Sequence, residues 1–111
     1  MEQFIGYLTS QVESCRDEIA DLEKNGCRDE AAFAKVRMNI YEVCKTVTNA
    51  LINRPGAGVS AVKEQFNRFR AEWSAALERA RSNDDVRNVV IGETKLEVLN
   101  DVIARFQEET K

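Results

Sequence analysis

Three cysteines are the side chains in this sequence best able to carry out chemistry, and no histidine accompanies them. A thiolate can act as a nucleophile or bind zinc, but it usually needs a neighbouring base or closely spaced ligands. Cys15, Cys27 and Cys44 are far apart and show no Cys-x-x-Cys spacing. Without histidine, the Ser-His-Asp, Cys-His and HExxH sites are excluded. We therefore expect no catalytic residue, no metal ion and no cofactor.

The cysteines instead indicate which side chains pack in the core and which redox compartment the protein occupies. Cys15 and Cys44 fall on apolar helical stripes, where a free thiol behaves as a small hydrophobic group. Cys27 lies in a predicted loop beside Arg28 and should be the most exposed of the three. An odd number of cysteines without close pairing is typical of a reducing compartment, so we expect a cytoplasmic protein.

Adjacent carboxylates occur at four places, but they do not predict an acid–base pair. Neighbouring residues on a helix point about 100° apart, so two such carboxylates rarely share one proton or one metal ion. Their positions fit helix N-termini and solvent-facing surfaces instead. The four pairs are Asp17-Glu18, Asp29-Glu30, Asp84-Asp85 and Glu108-Glu109. We therefore expect that the protein is not an enzyme.

Four of the six basic residues between positions 54 and 81 are the candidates for contact with nucleic acid or another anion. They are Arg54, Lys63, Arg70 and Arg81. Acidic residues are interspersed with them, and the net charge of −3 argues against a broad nucleic-acid surface. The loop from Arg54 to Gly58 lacks the Gly-Lys-Ser/Thr ending of a P-loop, so we interpret it as a plain connection.

Helices are the elements that must position these side chains. From Val59 to Ala80, apolar residues recur every three or four positions, so a 3.6-residue helix gathers them on one face. This stretch holds the single tryptophan, Trp73, together with Phe66 and Phe69. Such an aromatic stripe could stack a ligand, but it is more typical of a core. We expect this helix to bury the largest apolar area and to organise the chain.

Two helices are predicted before this stretch. The first spans residues 2–24 and stops at Asn25-Gly26, because glycine tolerates the left-handed geometry of a helix C-cap. The second should have Asp29 as its N-cap and end near Ile52, and the third should begin at Ser60 or the residue before it.

The second helix carries an additional apolar strip away from its main stripe, formed by Met38, Tyr41 and Ile52. A helix with two apolar strips often touches more than one neighbour, so we expect this helix to be the most central. The strip should cover either another helix of the same chain or a partner chain. Met38, Tyr41 and Ile52 are therefore the candidate interaction surface.

The last segment allows two interpretations. A turn is expected at residues 82–85, where Ser82 and Asp85 have the spacing of a capping box. The segment Val86–Ile91 is rich in β-branched residues and could form a strand, but no second strand is available to pair with it. Because the apolar stripe continues through Gly92, we favour a helix over residues 84–108. There Gly92 would let a neighbouring helix approach closely.

Composition completes the prediction of the fold. The 111 residues are 43% hydrophobic and 32% charged, with one proline and five glycines, a balance typical of a single helical domain. No run of about 18 apolar residues is present, and the N-terminus lacks the features of a signal peptide. We predict an all-α fold, a single up-and-down bundle of four amphipathic helices over residues 1–111.

The lack of a catalytic set and the spare apolar strip together favour a non-enzymatic interaction or structural role. We expect a homo-oligomer, most simply a homodimer, or a complex with another protein. The alternative is a small regulator that binds nucleic acid or an acidic partner through the arginine-bearing third helix. The sequence indicates neither a membrane partner nor a small-molecule substrate.

Overall fold

The computed structural model describes all 111 residues, folded as four helices without strands. The helices are α1 (Glu2–Lys24), α2 (Arg28–Leu51), α3 (Gly58–Ser82) and α4 (Val86–Glu109). The predicted all-α, up-and-down four-helix bundle is confirmed. None of the four helices combines the length and the apolarity needed to cross a membrane.

The turn between α1 and α2 is built on Gly26, which has a φ of 77°. Its N–H donates to the carbonyl of Glu23, and the N–H of Cys27 donates to the carbonyl of Leu22 at 2.8 Å. The predicted stop at Asn25-Gly26 is therefore correct. The predicted N-cap, Asp29, is wrong. Cys27 is the N-cap because its carbonyl already accepts the first helical bond, from Ala31 at 3.0 Å.

Helix α3 begins at Gly58, one or two residues before the predicted start at Ser60 or the residue before it. Gly58 is buried, and a Cβ there would overlap the carbonyl group of Ile52. Only glycine lets the first turn of α3 lie this close to the end of α2.

The turn between α3 and α4 brings Asp84 into the left-handed region, with a φ of 52°. Asp85 caps α4 by accepting from the N–H of Asn88 at 3.3 Å and from the side-chain amide of Asn88 at 2.6 Å. The predicted capping box of Ser82 and Asp85 is wrong, because Ser82 is the last residue of α3. The strand alternative is also wrong, since α4 continues without a break through Gly92.

The bundle is flattened rather than square, with overall dimensions of 47 × 35 × 20 Å. Helices α2 and α4 each contact all three other helices, whereas the backbones of α1 and α3 do not approach each other. The prediction that the second helix is central is confirmed, and α4 shares that position. The two helices lie on the short diagonal of the bundle.

The main core occupies one half of the bundle, which we call the closed half: residues 2–15, 38–51, 58–70 and 96–109. Its centre is a group of three phenylalanines. The ring centroid of Phe4 lies 6.4 Å from that of Phe66 and 5.1 Å from that of Phe106. The buried cluster comprises Phe4, Leu8, Val12, Cys15, Ile40, Tyr41, Cys44, Val62, Phe66, Val98, Leu99, Val102, Ile103 and Phe106.

The other half, which we call the open half, contains residues 16–37 and 71–95. Its buried apolar residues are few and do not belong to the cluster of the closed half. They are Ile19, Ala31 and Ala34 from α1 and α2, and Leu77 and Ala80 from α3. In the open half, side chains are therefore buried more between α1 and α2, and between α3 and α4, than between these two pairs of helices.

The expectation that the third helix dominates the core is wrong. Trp73 is only half-buried, and Val59 remains 44% exposed. Trp73 lies at the boundary between the closed half and the open half, so only part of its ring packs against the core cluster. Five residues of α4 belong to the cluster, compared with two of α3.

Candidate functional site

The strip predicted as an interaction surface faces the interior of the same chain. Tyr41 is only 7% exposed, and its ring meets that of Tyr7 edge-on at a centroid distance of 6.3 Å. Met38 and Ile52 are half-buried against the same core cluster. Of the two alternatives for this strip, the structure shows the first, and Tyr41 is a core residue rather than a surface residue.

Two tyrosines and two cysteines of the closed half have raised pKa values, which favours their neutral forms. Burial raises the pKa of Tyr41 and, more modestly, that of Tyr7. Burial also raises the pKa of Cys15, and it raises the pKa of Cys44 to about 12. Such groups are poor proton donors, acceptors and nucleophiles near neutral pH.

The cysteines lie apart, and none forms a disulfide. Cys15 and Cys44 are buried in the core, as predicted, and Cys27 is half-buried in the turn before α2. No group of three or more histidine, cysteine, aspartate or glutamate side chains is arranged to hold a metal ion.

The four predicted anion contacts are all exposed but do not form a pocket. Arg70 donates to the side-chain oxygen of Asn67 at 2.9 Å, and Arg81 pairs with Glu78 at 2.6 Å. Lys63, Arg70 and Arg81 lie on one side of α3, because their spacings of seven and eleven residues are close to whole turns. At about 1.5 Å per residue the row is roughly 27 Å long. Arg54 precedes it, in the loop before α3.

A groove of about 290 Å³ lies in the open half between the first turns of α2 and of α4. We call it the α2–α4 groove. It is lined by Asp29, Ala32, Phe33, Val36, Arg87 and Ile91. Phe33 and Val36 continue the core stripe of α2, yet both remain partly exposed. Their exposure follows from the opening of the bundle at this end.

Two opposite charges line this groove without pairing. Asp29 on α2 and Arg87 on α4 are both exposed, and neither takes part in any of the ion pairs of the chain. The same turns of α4 also expose Val86 by 74% and Val90 by 37%. An apolar groove with unpaired charges suits association with another surface rather than acid–base chemistry.

A second concave site of about 330 Å³ lies between the C-terminal part of α3 and the N-terminal part of α4. We call it the α3–α4 cleft. Trp73 forms part of its wall, and its ring stacks on that of Phe69 at 5.0 Å with an interplanar angle of 6°. The ammonium group of Lys95 lies 5.8 Å from the centroid of the Trp73 ring.

Sequence reasoning missed the residues of α4 that line these two sites. Ile91 and Lys95 precede Val98 and Val102 at steps of four, three and four residues, so they continue the core face of α4. Lys95 on the core face of α4 is the sequence signal that the buried core does not extend into the open half. The spacing of Trp73 places it on the core face of α3, but spacing alone does not reveal where along the helix the core ends.

Comparison with protein-family models, curated proteins and solved structures yields no match. Function must therefore be inferred from the groove and the cleft themselves.

Proposed function

We propose that this protein is a non-enzymatic interaction protein of the cytoplasm, and that it binds a second copy of itself through the α2–α4 groove. The observation that carries this proposal is the pair of unpaired opposite charges, Asp29 and Arg87, on the lining of an apolar groove.

The charges make the groove complementary to itself. In a two-fold dimer, each contact between two different residues occurs twice, once in each direction. If two grooves face each other, Asp29 of each copy can meet Arg87 of the other. Both charges gain a partner, and no like charges are brought together.

The apolar residues supply the driving force for association. Fully burying a phenylalanine or isoleucine side chain contributes about 1.5–3 kcal/mol. Phe33, Val36 and Ile91 are each partly exposed in the free chain, so covering their remaining area contributes a part of this amount per residue. A standard interface buries about 800 Å² on each partner, which is more than the groove alone offers. Val86 and Val90 extend the apolar surface on the same turns of α4.

The cysteines and tyrosines support a cytoplasmic, non-catalytic role. The three thiols are unpaired, as is typical of a reducing compartment. Two of the thiols and both tyrosines have raised pKa values because they are buried, so they are poorly suited to catalysis near neutral pH.

Sedimentation equilibrium of charge-reversal variants tests this proposal. We expect the wild-type chain to form dimers, and Asp29→Arg or Arg87→Asp alone to weaken them by placing like charges together. The double variant should recover dimerisation, because the pair is restored in the opposite sense. A wild-type chain that stays monomeric up to several hundred micromolar, or single variants that dimerise normally, would refute the proposed interface.

A second candidate function is the binding of nucleic acid or an acidic protein along the basic row of α3. The supporting observation is that Arg54, Lys63 and Arg70 are exposed and have no carboxylate partner in the chain. Such binding should weaken steeply with added salt, and replacing Lys63 and Arg70 by glutamine should flatten that dependence. Binding that is absent at low salt would eliminate this candidate.

A further inference from the structure

We propose that the α3–α4 cleft is a binding site for a planar aromatic molecule that carries one negative charge. Three properties of the cleft lead to this ligand class: its aromatic wall, its uncompensated positive charge and its size. This proposal is independent of self-association, because the cleft and the α2–α4 groove share only Ile91.

The aromatic wall is already ordered in the free protein. Trp73 is half-buried, and parallel stacking on Phe69 at 5.0 Å fixes the plane of its ring. A ligand that packs against this ring therefore loses little binding energy to ordering of the site. Aromatic ligands pack favourably against such rings in offset-stacked or edge-on arrangements.

Positive charge in the cleft lacks a carboxylate partner. Lys95 and Arg79 line it, and neither forms an ion pair within the chain. Lys95 is half-buried, and its ammonium group lies over the Trp73 ring, 5.8 Å from the ring centroid, so its charge is held beside the aromatic wall. The lining carboxylate, Asp85, is engaged by the backbone and side-chain N–H groups of Asn88. An anionic group of a ligand is therefore the natural partner of Lys95.

The size of the cleft limits the ligand. A volume of about 330 Å³ is at the small end of the range for small-molecule sites, about 300–1,000 Å³. One or two fused rings with a carboxylate or a similar group fit this range. A larger ligand would have to extend out of the cleft, past Arg79 and Asn83.

Trp73 provides a direct readout, because it is the only tryptophan in the chain. Its indole N–H gives a single, identifiable peak in a ¹⁵N-correlated NMR spectrum. We would titrate 2-naphthoate and compare three probes: neutral 2-naphthylmethanol, cationic 2-naphthylmethylammonium, and cyclohexanecarboxylate, which is anionic but not planar. Saturable movement of the indole peak is expected with 2-naphthoate, with weaker effects from the neutral and non-planar probes and none from the cation.

Replacement of Lys95 identifies the anion partner. Lys95→Gln should raise the dissociation constant for 2-naphthoate about tenfold, a loss typical of one charge-assisted hydrogen bond. The matched control is Lys63→Gln, an exposed lysine on α3 outside the cleft, and it should leave the affinity unchanged. Circular dichroism verifies that both variants keep their helices.

Three results would overturn the proposal. They are equal binding of all the naphthalene probes, absence of a saturable shift at millimolar 2-naphthoate, and unchanged affinity in a folded Lys95→Gln variant. Each result would show that the cleft does not select for a charged aromatic ligand.

Discussion

A methyl group added at Gly92 of α4 would lie 3.2 Å from Cδ1 of Leu77 on α3. Leu77 is buried, so α3 and α4 pack closely at this point because residue 92 has no side chain. Gly6, in α1, provides a contrast, since no atom lies within 4 Å of the position that its Cβ would take. Of these two helical glycines, only Gly92 serves packing, as the sequence predicted.

Alanine substitutions should separate these two roles of glycine. Gly6→Ala should raise the free energy of unfolding by about 1 kcal/mol, because alanine has the higher helix propensity and its methyl group meets no neighbour. Gly92→Ala should gain little or nothing because Leu77 must move, and Gly92→Val should lower the free energy of unfolding by about 1–3 kcal/mol. Urea denaturation gives these values. An equal gain from both alanine variants would contradict the close approach.

Truncation of a phenylalanine should cost much more in the closed half than in the open half. Phe106 is only 2% exposed and meets the rings of Phe4 and Phe66, so Phe106→Ala should lower the free energy of unfolding by about 3–5 kcal/mol. Phe33 is partly exposed and lies outside the main core cluster, so Phe33→Ala should cost less, about 1–3 kcal/mol.

Hydrogen exchange offers a second measurement of the same difference. Amide protons of residues 98–106 should be better protected than those of residues 31–37, because openings that expose few buried apolar contacts have low free energy. Equal protection of the two segments would show that the bundle is as tightly packed at its open end.

The fold was predictable because the information that specifies it is local. Periodic apolar residues and Gly26 place α1 and its end at the observed positions. The limits of the other helices depend on contacts made after the chain has folded. Gly58 begins α3 because the absence of a side chain there lets it pack against Ile52 at the end of α2.

The candidate sites were harder to predict, because helical periodicity identifies the apolar face of a helix but not what covers it. Phe33 and Ile40 belong to the same stripe of α2, yet Ile40 is buried and Phe33 borders a groove. The sequence leaves open whether Tyr41 covers a helix of the same chain or a partner chain, and the fold decides this by packing Tyr41 against Tyr7 of α1. The burial of each of these residues depends on the relative positions of whole helices, which no local sequence pattern specifies.

Introduction of a charge into the α2–α4 groove should disrupt the proposed dimer. Phe33→Glu removes apolar area and places a carboxylate beside Asp29, so the dimer dissociation constant should rise at least tenfold. Sedimentation equilibrium over a wide concentration range measures this constant. Helix content should be unchanged, because Phe33 is not part of the main core cluster.

Val59→Glu is the matched control for this variant. Val59 is 44% exposed and lies in the first turn of α3, in the closed half of the bundle. Glutamate is favourable near a helix N-terminus, so this change should preserve both folding and dimerisation. If Val59→Glu dissociates the dimer and Phe33→Glu does not, the interface lies at the other end of the molecule.

Ionisation of Cys44 should contribute to the loss of stability at alkaline pH. Burial raises the pKa of this thiol from 9.0 to about 12 in the folded chain. Below about pH 9 both states keep the proton; between about pH 9 and 12 only the folded state does, so unfolding becomes easier as the pH rises. The contribution of this thiol should fall by up to about 1.4 kcal/mol per pH unit within that window.

Cys44→Val removes this ionisation while retaining an apolar side chain. Its free energy of unfolding, measured by urea denaturation from pH 8 to 10.5, should therefore decline less steeply than that of the wild-type chain. Tyr7 and Tyr41 remain in both proteins, so their own alkaline contributions cancel in the comparison. Identical slopes for the wild type and Cys44→Val would contradict a buried, protonated thiol at position 44.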